Sequence, residues 1–184
     1  DRALGAVSGH PCRWRTLYGM ASALITGGTS GIGHAFAAEF ASRGTDLVLV
    51  ARDADRLEKV AAELRETHGV EVETISADLA VRDDVMRVAD RIEDPARPID
   101  WLINNAGFGL HSTVLDRSEI DIQARAFDVM CLAVLILGGA AGRAMRARGS
   151  GRIVNVASTS AAIYTGNYSA VKAWARTYST ALQL

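Results

Sequence analysis

The run Thr26-Gly27-Gly28-Thr29-Ser30-Gly31-Ile32-Gly33 stands between an apolar stretch at residues 23–25 and a segment of helical character. Its glycines Gly27, Gly31 and Gly33 follow a G-x-x-x-G-x-G spacing. Glycine permits a positive φ angle or a close backbone approach there, and the next helix offers free N–H groups to a pyrophosphate. A tight turn that only packs the helix on the strand is the alternative. The strand before and the helix after favour a dinucleotide-binding turn.

Apolar stretches alternate with amphipathic stretches from this turn to the end of the chain. Amphipathic stripes predict a helix after each strand, with a long one over roughly 119–148 and the last starting near Asn167. The predicted strands cover residues 23–25, 47–50, 70–75, 99–103 and 152–156. In the first helix, the side expected to face the core consists of Ile32, Ala35, Phe36 and Phe40.

The second predicted strand, residues 47–50, is wholly apolar, which is typical of a parallel sheet covered on both faces. Five strand-helix repeats therefore predict an α/β fold with a doubly wound parallel sheet in three α/β/α layers. Right-handed crossovers then place ligands at the carboxyl ends of the strands.

Length, charge and composition exclude several classes of protein. The 184 residues suit one domain with a sizeable core. A formal net charge of -1, from 20 basic and 21 acidic residues, gives no field toward nucleic acid or an anionic membrane. The most apolar run, residues 129–137, is too short to span a bilayer. Cys12 and Cys131 lie far apart without metal-ligand spacing, so we expect no metal site and a reducing, cytoplasmic location.

Residues 1–19 precede Met20, which has the character of a natural start. They contain arginines, few acids and no continuous apolar core. We expect a disordered extension there, with a transit peptide as the alternative. The domain itself is expected to cover residues 20–184.

The end of the second predicted strand, Val50-Ala51-Arg52-Asp53, bears on the choice of dinucleotide. An acidic residue there would accept hydrogen bonds from the ribose of NAD, whereas an arginine offers a planar fork to the 2′-phosphate of NADP. Arg52 favours NADP(H), and NAD(H) is the alternative. Arg52 could also be a solvated charge at a helix entry. Asp53 could be the cap of that helix or, one position late, the ribose acceptor.

Two further sites follow the third and fourth predicted strands. Asp78 lies where an adenine ring would be held, although a turn residue is an equally good interpretation. Asn104-Asn105-Ala106-Gly107 ends the fourth strand, where small residues let the backbone approach a ligand. An asparagine there can bridge neighbouring strands, but by itself this run could also be only a turn.

Tyr168 and Lys172 are four residues apart, so they share one face of the last predicted helix. A nearby ammonium stabilises a phenolate, which lets a tyrosine exchange protons near neutral pH. Ser158 ends the fifth strand at the same edge of the sheet, and its hydroxyl could bond a substrate carbonyl. The alternatives are a half-buried tyrosine beside a surface lysine, and a serine that caps a turn.

Together, the turn at 26–33, the run at 104–107, Ser158 and Tyr168-x-x-x-Lys172 resemble the short-chain dehydrogenase/reductase family. Each motif is modest, but the four in this order are specific. The resemblance implies a Rossmann fold and an oxidoreductase that interconverts a small-molecule carbonyl and an alcohol with a nicotinamide cofactor. It also implies a homo-oligomer formed through the helices at 119–148 and 167–184.

The same resemblance assigns roles to individual residues. Tyr168 would be the general acid/base, Lys172 would support it and hold the nicotinamide ribose, and Ser158 would orient the carbonyl. The residues implied in cofactor binding are Gly27, Ser30, Gly31, Ile32, Gly33, Arg52, Asp78, Leu79, Asn105, Ala106, Gly107, Tyr168 and Lys172.

Three departures from the family pattern matter. Many members carry an asparagine in the long helix that supports a proton-relay water, and Met130 stands at that position. A thioether cannot donate a hydrogen bond, so the relay is altered or the alignment is shifted. The interval from Ser158 to Tyr168 is short, with Ser160 as the fallback hydroxyl. The chain stops at Leu184, so we expect a fragment without the last strands; a dinucleotide-binding or regulatory module without chemistry is the alternative function.

Overall fold

The structure, a computed structural model, describes residues 21–111, 113–163 and 166–182. The predicted extension at residues 1–19 lies outside these described residues. Five parallel strands form one sheet in the order β3-β2-β1-β4-β5. The strands are β1 (Ser22–Thr26), β2 (Asp46–Ala51), β3 (Val72–Ser76), β4 (Trp101–Asn104) and β5 (Arg152–Asn155).

In the described part of the chain, six α-helices follow the strands or connect them. They are α1 (Gly31–Ser42), α2 (Ala54–His68), α3 (Arg82–Glu93), α4 (Ile120–Phe127), α5 (Ala133–Arg148) and α6 (Asn167–Ala181). A π-helical turn at Asp128–Leu132 joins α4 to α5, so the long predicted helix is interrupted by one wider turn. Short 3₁₀ turns cover Arg117–Glu119 and Thr159–Ala162.

The helices lie on both faces of the sheet and enclose two cores. One core packs α3, α4, α5 and α6 against side chains such as Leu24 and Leu102. The other packs α1 and α2 against the opposite side chains, among them Ile25 and Ile103. This arrangement confirms the predicted doubly wound, three-layer fold. Since β1 lies between β2 and β4, the carboxyl ends of β1 and β4 border the crevice where such sheets bind ligands.

The predicted core-facing side of α1 is wrong for Ile32 and Ala35, whereas Phe36 and Phe40 do pack against the core. Ile32 is 60% exposed and Ala35 is also exposed, while Phe36 and Phe40 are only half-buried. The buried positions are instead small, namely Gly33, Ala37 and Ala41. Small residues let the helix backbone approach the sheet closely. The rings of Phe36 and Phe40 then lie at the edge of the helix–sheet interface. The Phe40 ring meets the Trp101 ring there at 5.4 Å between centroids.

One helical stretch bears on the expectation of no membrane span, which stays a prediction. By length and composition, the helical stretch Arg117–Arg148 qualifies as a candidate span, with 56% of its most apolar window buried inside the domain. The prediction considered only uninterrupted apolar residues, whereas a helix with a few charged side chains can pass the same test. A core helix passes it as well, so this stretch is weak evidence for a membrane span.

Candidate active site

A groove with a volume of about 910 Å³ runs along the carboxyl ends of the strands. It is lined by the glycine turn, the residues that follow β2, β3, β4 and β5, and parts of α4 and α6. The residues predicted for catalysis and cofactor binding all line it except Gly33, and the fallback Ser160 is also not among the lining residues. The sheet therefore brings together motifs that are up to 145 residues apart, from Gly27 to Lys172.

The glycine turn leaves space for a ligand at the amino end of α1. Gly27 and Gly31 have φ angles of 68° and 52°, which favour glycine. Gly33 has a packing role, because a Cβ atom there would lie 2.2 Å from the Gly27 carbonyl oxygen. A Cβ atom on Gly31 would meet nothing within 4 Å in the described part of the chain. Open space over Gly31 leaves room for the pyrophosphate of a dinucleotide.

The start of α1 fits an anionic ligand in a second way. Among the described residues, no side chain caps this helix end, and its first turn contains no acid. Ser30, Gly31 and Ile32 border the groove, so the unpaired N–H groups and the positive end of the helix dipole face the groove. These residues fit the pyrophosphate of a dinucleotide.

Asn105 holds the glycine turn against the end of β4. Its side-chain Nδ2 donates to the carbonyl oxygens of Thr26 and Gly27 at 3.0 and 3.3 Å. The Thr26 hydroxyl accepts from the backbone N–H groups of Asn105 and Ala106, each at 3.0 Å. The asparagine therefore bridges neighbouring strands, as one of the sequence interpretations proposed, and it also borders the groove.

Two arginines border the groove beyond the end of β2. Arg52 and Arg56 are both exposed and both line the groove. Asp53 is the cap of α2, because its carboxylate accepts from the Arg56 backbone N–H at 3.0 Å. Sequence reasoning missed Arg56, although its place four residues after Arg52, in the first turn of the predicted helix, is a signal that could have found it.

Asp78 is joined to a residue that the sequence did not single out. Arg125 of α4 donates to both Asp78 carboxylate oxygens at 2.7 Å, and the Ala80 N–H donates at 3.0 Å. Burial raises the pKa of Asp78, but these hydrogen bonds and the charges of Arg125 and Arg52 outweigh it, so the pKa lies below its ordinary value. Asp78 is thus both a turn residue and a charged wall of the groove.

Lys172 and Tyr168 meet at the opposite end of the groove. The Lys172 side chain is nearly buried, at 7% exposure, and its Nζ donates to the Val156 carbonyl oxygen at 2.9 Å. Nζ lies 5.9 Å from the centroid of the Tyr168 ring. Burial lowers the pKa of Lys172, against a smaller opposing effect of Cys131. Burial also raises the pKa of the Cys131 thiol to about 11, so this cysteine stays protonated at neutral pH.

Ser158 borders the groove and caps a 3₁₀ turn at the same time. Its hydroxyl oxygen accepts from the Ser160 backbone N–H at 3.1 Å. A hydroxyl that accepts one hydrogen bond keeps its own proton for a second partner. Ser160, the fallback hydroxyl, is not among the residues that line the groove.

Met130 lies in the π-helical turn beneath the groove. It is 2% exposed, and a Cβ atom on Gly107 would lie 2.8 Å from its sulfur. The thioether therefore packs against the backbone of the Asn-Asn-Ala-Gly run and brings no hydrogen-bond donor to this place. No group of potential metal ligands occurs among residues 21–111, 113–163 and 166–182.

Comparison with known proteins agrees with this geometry. The family model for short chain dehydrogenases matches residues 21–184. A very-long-chain 3-oxoacyl-CoA reductase of Anas platyrhynchos is 33% identical over 173 residues, which cover 87% of this chain and 53% of the relative. A short-chain dehydrogenase from Sphingobium yanoikuyae, solved with NADPH, is 37% identical and has a TM-score of 0.84 over 89% of this chain and 64% of its own.

A second solved structure is similar over the same region. The bulky-bulky ketone specific alcohol dehydrogenase from Comamonas testosteroni is 35% identical, with a TM-score of 0.82 over 89% of this chain and 66% of its own. The chain spans about half the length of the curated relatives it matches. Because the family model covers residues 21–184, the chain belongs to the short-chain dehydrogenase/reductase family.

Proposed function

We propose that the protein is an NADP-dependent oxidoreductase that interconverts a carbonyl and an alcohol by hydride transfer, with Tyr168 as the general acid/base. One observation carries this proposal. Tyr168, Lys172 and Ser158 converge at one end of a groove whose middle is the glycine turn and whose other end carries arginines. Family membership supports an oxidoreductase with a nicotinamide cofactor.

Ser158 and Tyr168 act directly on the carbonyl, and Lys172 supports them. A bound nicotinamide supplies or accepts the hydride. The Ser158 hydroxyl donates to the carbonyl oxygen and orients it. Tyr168 gives its phenolic proton to that oxygen in reduction and takes the proton back in oxidation.

Lys172 supports the proton transfer through its charge. Its ammonium stabilises the phenolate that remains after Tyr168 has given up its proton. Because Lys172 is nearly buried, little water screens this interaction. An ammonium has three N–H donors, so Lys172 can bond Val156 and still donate to a ribose hydroxyl of the cofactor.

The preference for NADP(H) rests on the charges beyond β2. Arg52 and Arg56 together offer two cations to a 2′-phosphate, whereas Asp53 already caps α2. The related enzyme from Sphingobium yanoikuyae was solved with NADPH, which supports this choice. NAD(H) is the alternative cofactor. A Kd for NADH as low as the Kd for NADPH would favour it.

The proposal predicts a large difference between two tyrosines of α6. Tyr168→Phe should lower kcat for carbonyl reduction about a thousandfold, because the phenylalanine has no proton to transfer. Its Kd for NADPH should stay close to that of the parent protein. Tyr178→Phe is the matched control, since the Tyr178 hydroxyl donates to the Leu135 carbonyl away from the groove. Turnover that survives in Tyr168→Phe would overturn the assignment.

A dinucleotide-binding module without chemistry is the second candidate. The buried Met130 favours it, because it stands where the family resemblance implies a relay asparagine. NADPH titration followed by turnover assays on a panel of aldehydes and ketones separates the two functions. Tight binding without turnover would support the binding module.

We also propose that the protein forms a homo-oligomer through α4, α5 and α6. Phe127 and Leu135 on the long helix are about half exposed, and the stacked Trp174 and Tyr178 rings lie on α6. A second copy of the chain would cover these apolar side chains. Light scattering after gel filtration should give a dimer or tetramer, and Leu135→Glu should shift the mass toward the monomer.

A further inference from the structure

We propose that Gln123 is a positioning residue for Tyr168, acting through Asn167, and that α4 thereby ties the tyrosine helix to the other end of the groove. This proposal rests on the proposed function, because it assigns how the acid/base is held in place. Neither Gln123 nor Asn167 belongs to the four motifs of the site.

The contact joins the interior of α4 to the first residue of α6. Asn167 Nδ2 donates to Gln123 Oε1 at 3.0 Å, and Gln123 is only 3% exposed. A hydrogen bond at such a buried site is stronger than one in water, and a partner left unpaired there is costly. Because Asn167 directly precedes Tyr168, the bond fixes the backbone from which the tyrosine side chain extends.

Among the described residues, no side chain caps the start of α6. Gly166 is its capping residue, with a φ angle of 96°, and it has no side chain to bond the first turn. Helix ends without a side-chain cap fray more readily. The bond from Gln123 reaches the helix in this first turn, which Gly166 cannot cap with a side chain.

Helix α4 is itself anchored at the far end of the groove. Arg125 Nη2 donates to both Asp78 carboxylate oxygens at 2.7 Å. Residues two positions apart in an α-helix are separated by about 200° around its axis. Gln123 and Arg125 therefore extend to nearly opposite sides. Ile122, which directly precedes Gln123 on the same helix, borders the groove. One short helix thus bonds the adenosine side through Asp78 and the proton-transfer side through Asn167.

A displaced tyrosine affects turnover more than cofactor binding. Misplacing a reacting group by about 1 Å can cost about a hundredfold in rate. The cofactor would be held mainly by the glycine turn and the arginines beyond β2, whereas Gln123 is not among the residues that line the groove. Loss of the Gln123 bond should therefore lower kcat and leave the affinity for NADPH nearly unchanged.

The first test compares a broken pair with an exchanged pair. Gln123→Leu removes the acceptor, and we expect kcat to fall about tenfold while the Kd for NADPH changes less than about twofold. Gln123→Asn combined with Asn167→Gln keeps the total side-chain length and both bonding groups, so it should recover most of the lost turnover. Asp121→Asn, on the exposed face of α4, is the control. Equal turnover in Gln123→Leu and the parent, or no recovery in the exchanged pair, would overturn the proposal.

The second test does not require turnover, so it separates this inference from the proposed function. Hydrogen exchange measured by mass spectrometry should be faster in the peptide covering 166–172 of Gln123→Leu, and slow again in the exchanged pair. Peptides from α2 should exchange as in the parent. Unchanged exchange at 166–172 would refute the positioning role even if Tyr168 proves essential. If Gln123→Leu does not fold, Asn167→Ala, at a partly exposed position, serves for the same measurements.

Discussion

The two ends of the groove hold their charges in opposite ways. Beyond β2, Arg52 and Arg56 are exposed, and the Asp78–Arg125 pair is about one third exposed on each side. At the tyrosine end, a single ammonium is nearly buried. Exposed charges are screened by salt, whereas a desolvated charge acts strongly on its neighbours. Binding and chemistry should therefore respond differently to mutation.

The largest effect is expected at the buried ammonium. Lys172→Met should lower kcat about a thousandfold, because methionine carries no charge to stabilise the Tyr168 phenolate. The folded protein should survive the change, since methionine fills a similar volume in a largely apolar environment. Steady-state kinetics and a thermal melt measure both effects. If the variant retains more than about a tenth of the parent turnover, the buried charge matters no more than the exposed ones, which contradicts the difference between the two ends.

The next largest effect on kcat/KM is expected when two serines of the same turn are compared. Ser158→Ala removes the hydroxyl at the groove, and kcat/KM should fall about a hundredfold. Ser160→Ala removes a hydroxyl that does not line the groove, so its kcat/KM should match the parent. Equal losses in the two variants would show that the turn matters only for folding.

A smaller and salt-dependent effect is expected at the exposed end. Arg52→Ala should weaken NADPH binding about tenfold while NADH binding hardly changes, because only NADPH carries the 2′-phosphate. The loss should shrink as the salt concentration rises. Fluorescence titration of both cofactors measures it, with Arg43→Ala, at the other end of α1, as the control. A similar loss for NADH would contradict the assignment of Arg52.

The smallest effect concerns stability and pH. Burial lowers the pKa of Lys172 in the folded protein, so the unfolded chain binds more protons in the range between the lowered pKa and the ordinary value. The folded protein is therefore penalised below this range, and the penalty disappears as pH rises through it. Lys172→Met lacks the penalty. The Tm of this variant minus that of the parent should decrease as pH rises toward the ordinary lysine pKa of 10.5, and a constant difference would argue against burial as the cause.

The fold could be predicted because its signals are local. Apolar runs, such as residues 47–50, identify individual strands, and the glycines of the first turn identify the connection from a strand to a helix. Each signal can be recognised without knowing the rest of the fold. The face of α1 could not be predicted in this way. Its contact is set by how closely two backbones approach, and periodicity counts Phe36 and Phe40 while it ignores Gly33.

The site was predictable to the extent that it consists of motifs. Tyr168, Lys172 and Ser158 could be named because each follows a recognisable pattern, and the sheet brings them to one groove. Arg125 and Gln123 have no such pattern. Their roles depend on partners 47 and 44 residues away, and only the packing of α4 between those partners reveals them.

The π-helical turn at Asp128–Leu132 holds one residue more than an α-helical turn would. Each residue of an α-helix turns the chain by about 100°, so deleting a single residue there would rotate α4 against α5 by about that angle. Gln123 and Arg125 would lose both partners at once, although no side chain of the site had changed. Alignment with a relative that lacks this wider turn consequently needs a one-residue gap, and residues of α4 correspond between the two proteins only when the gap is placed there.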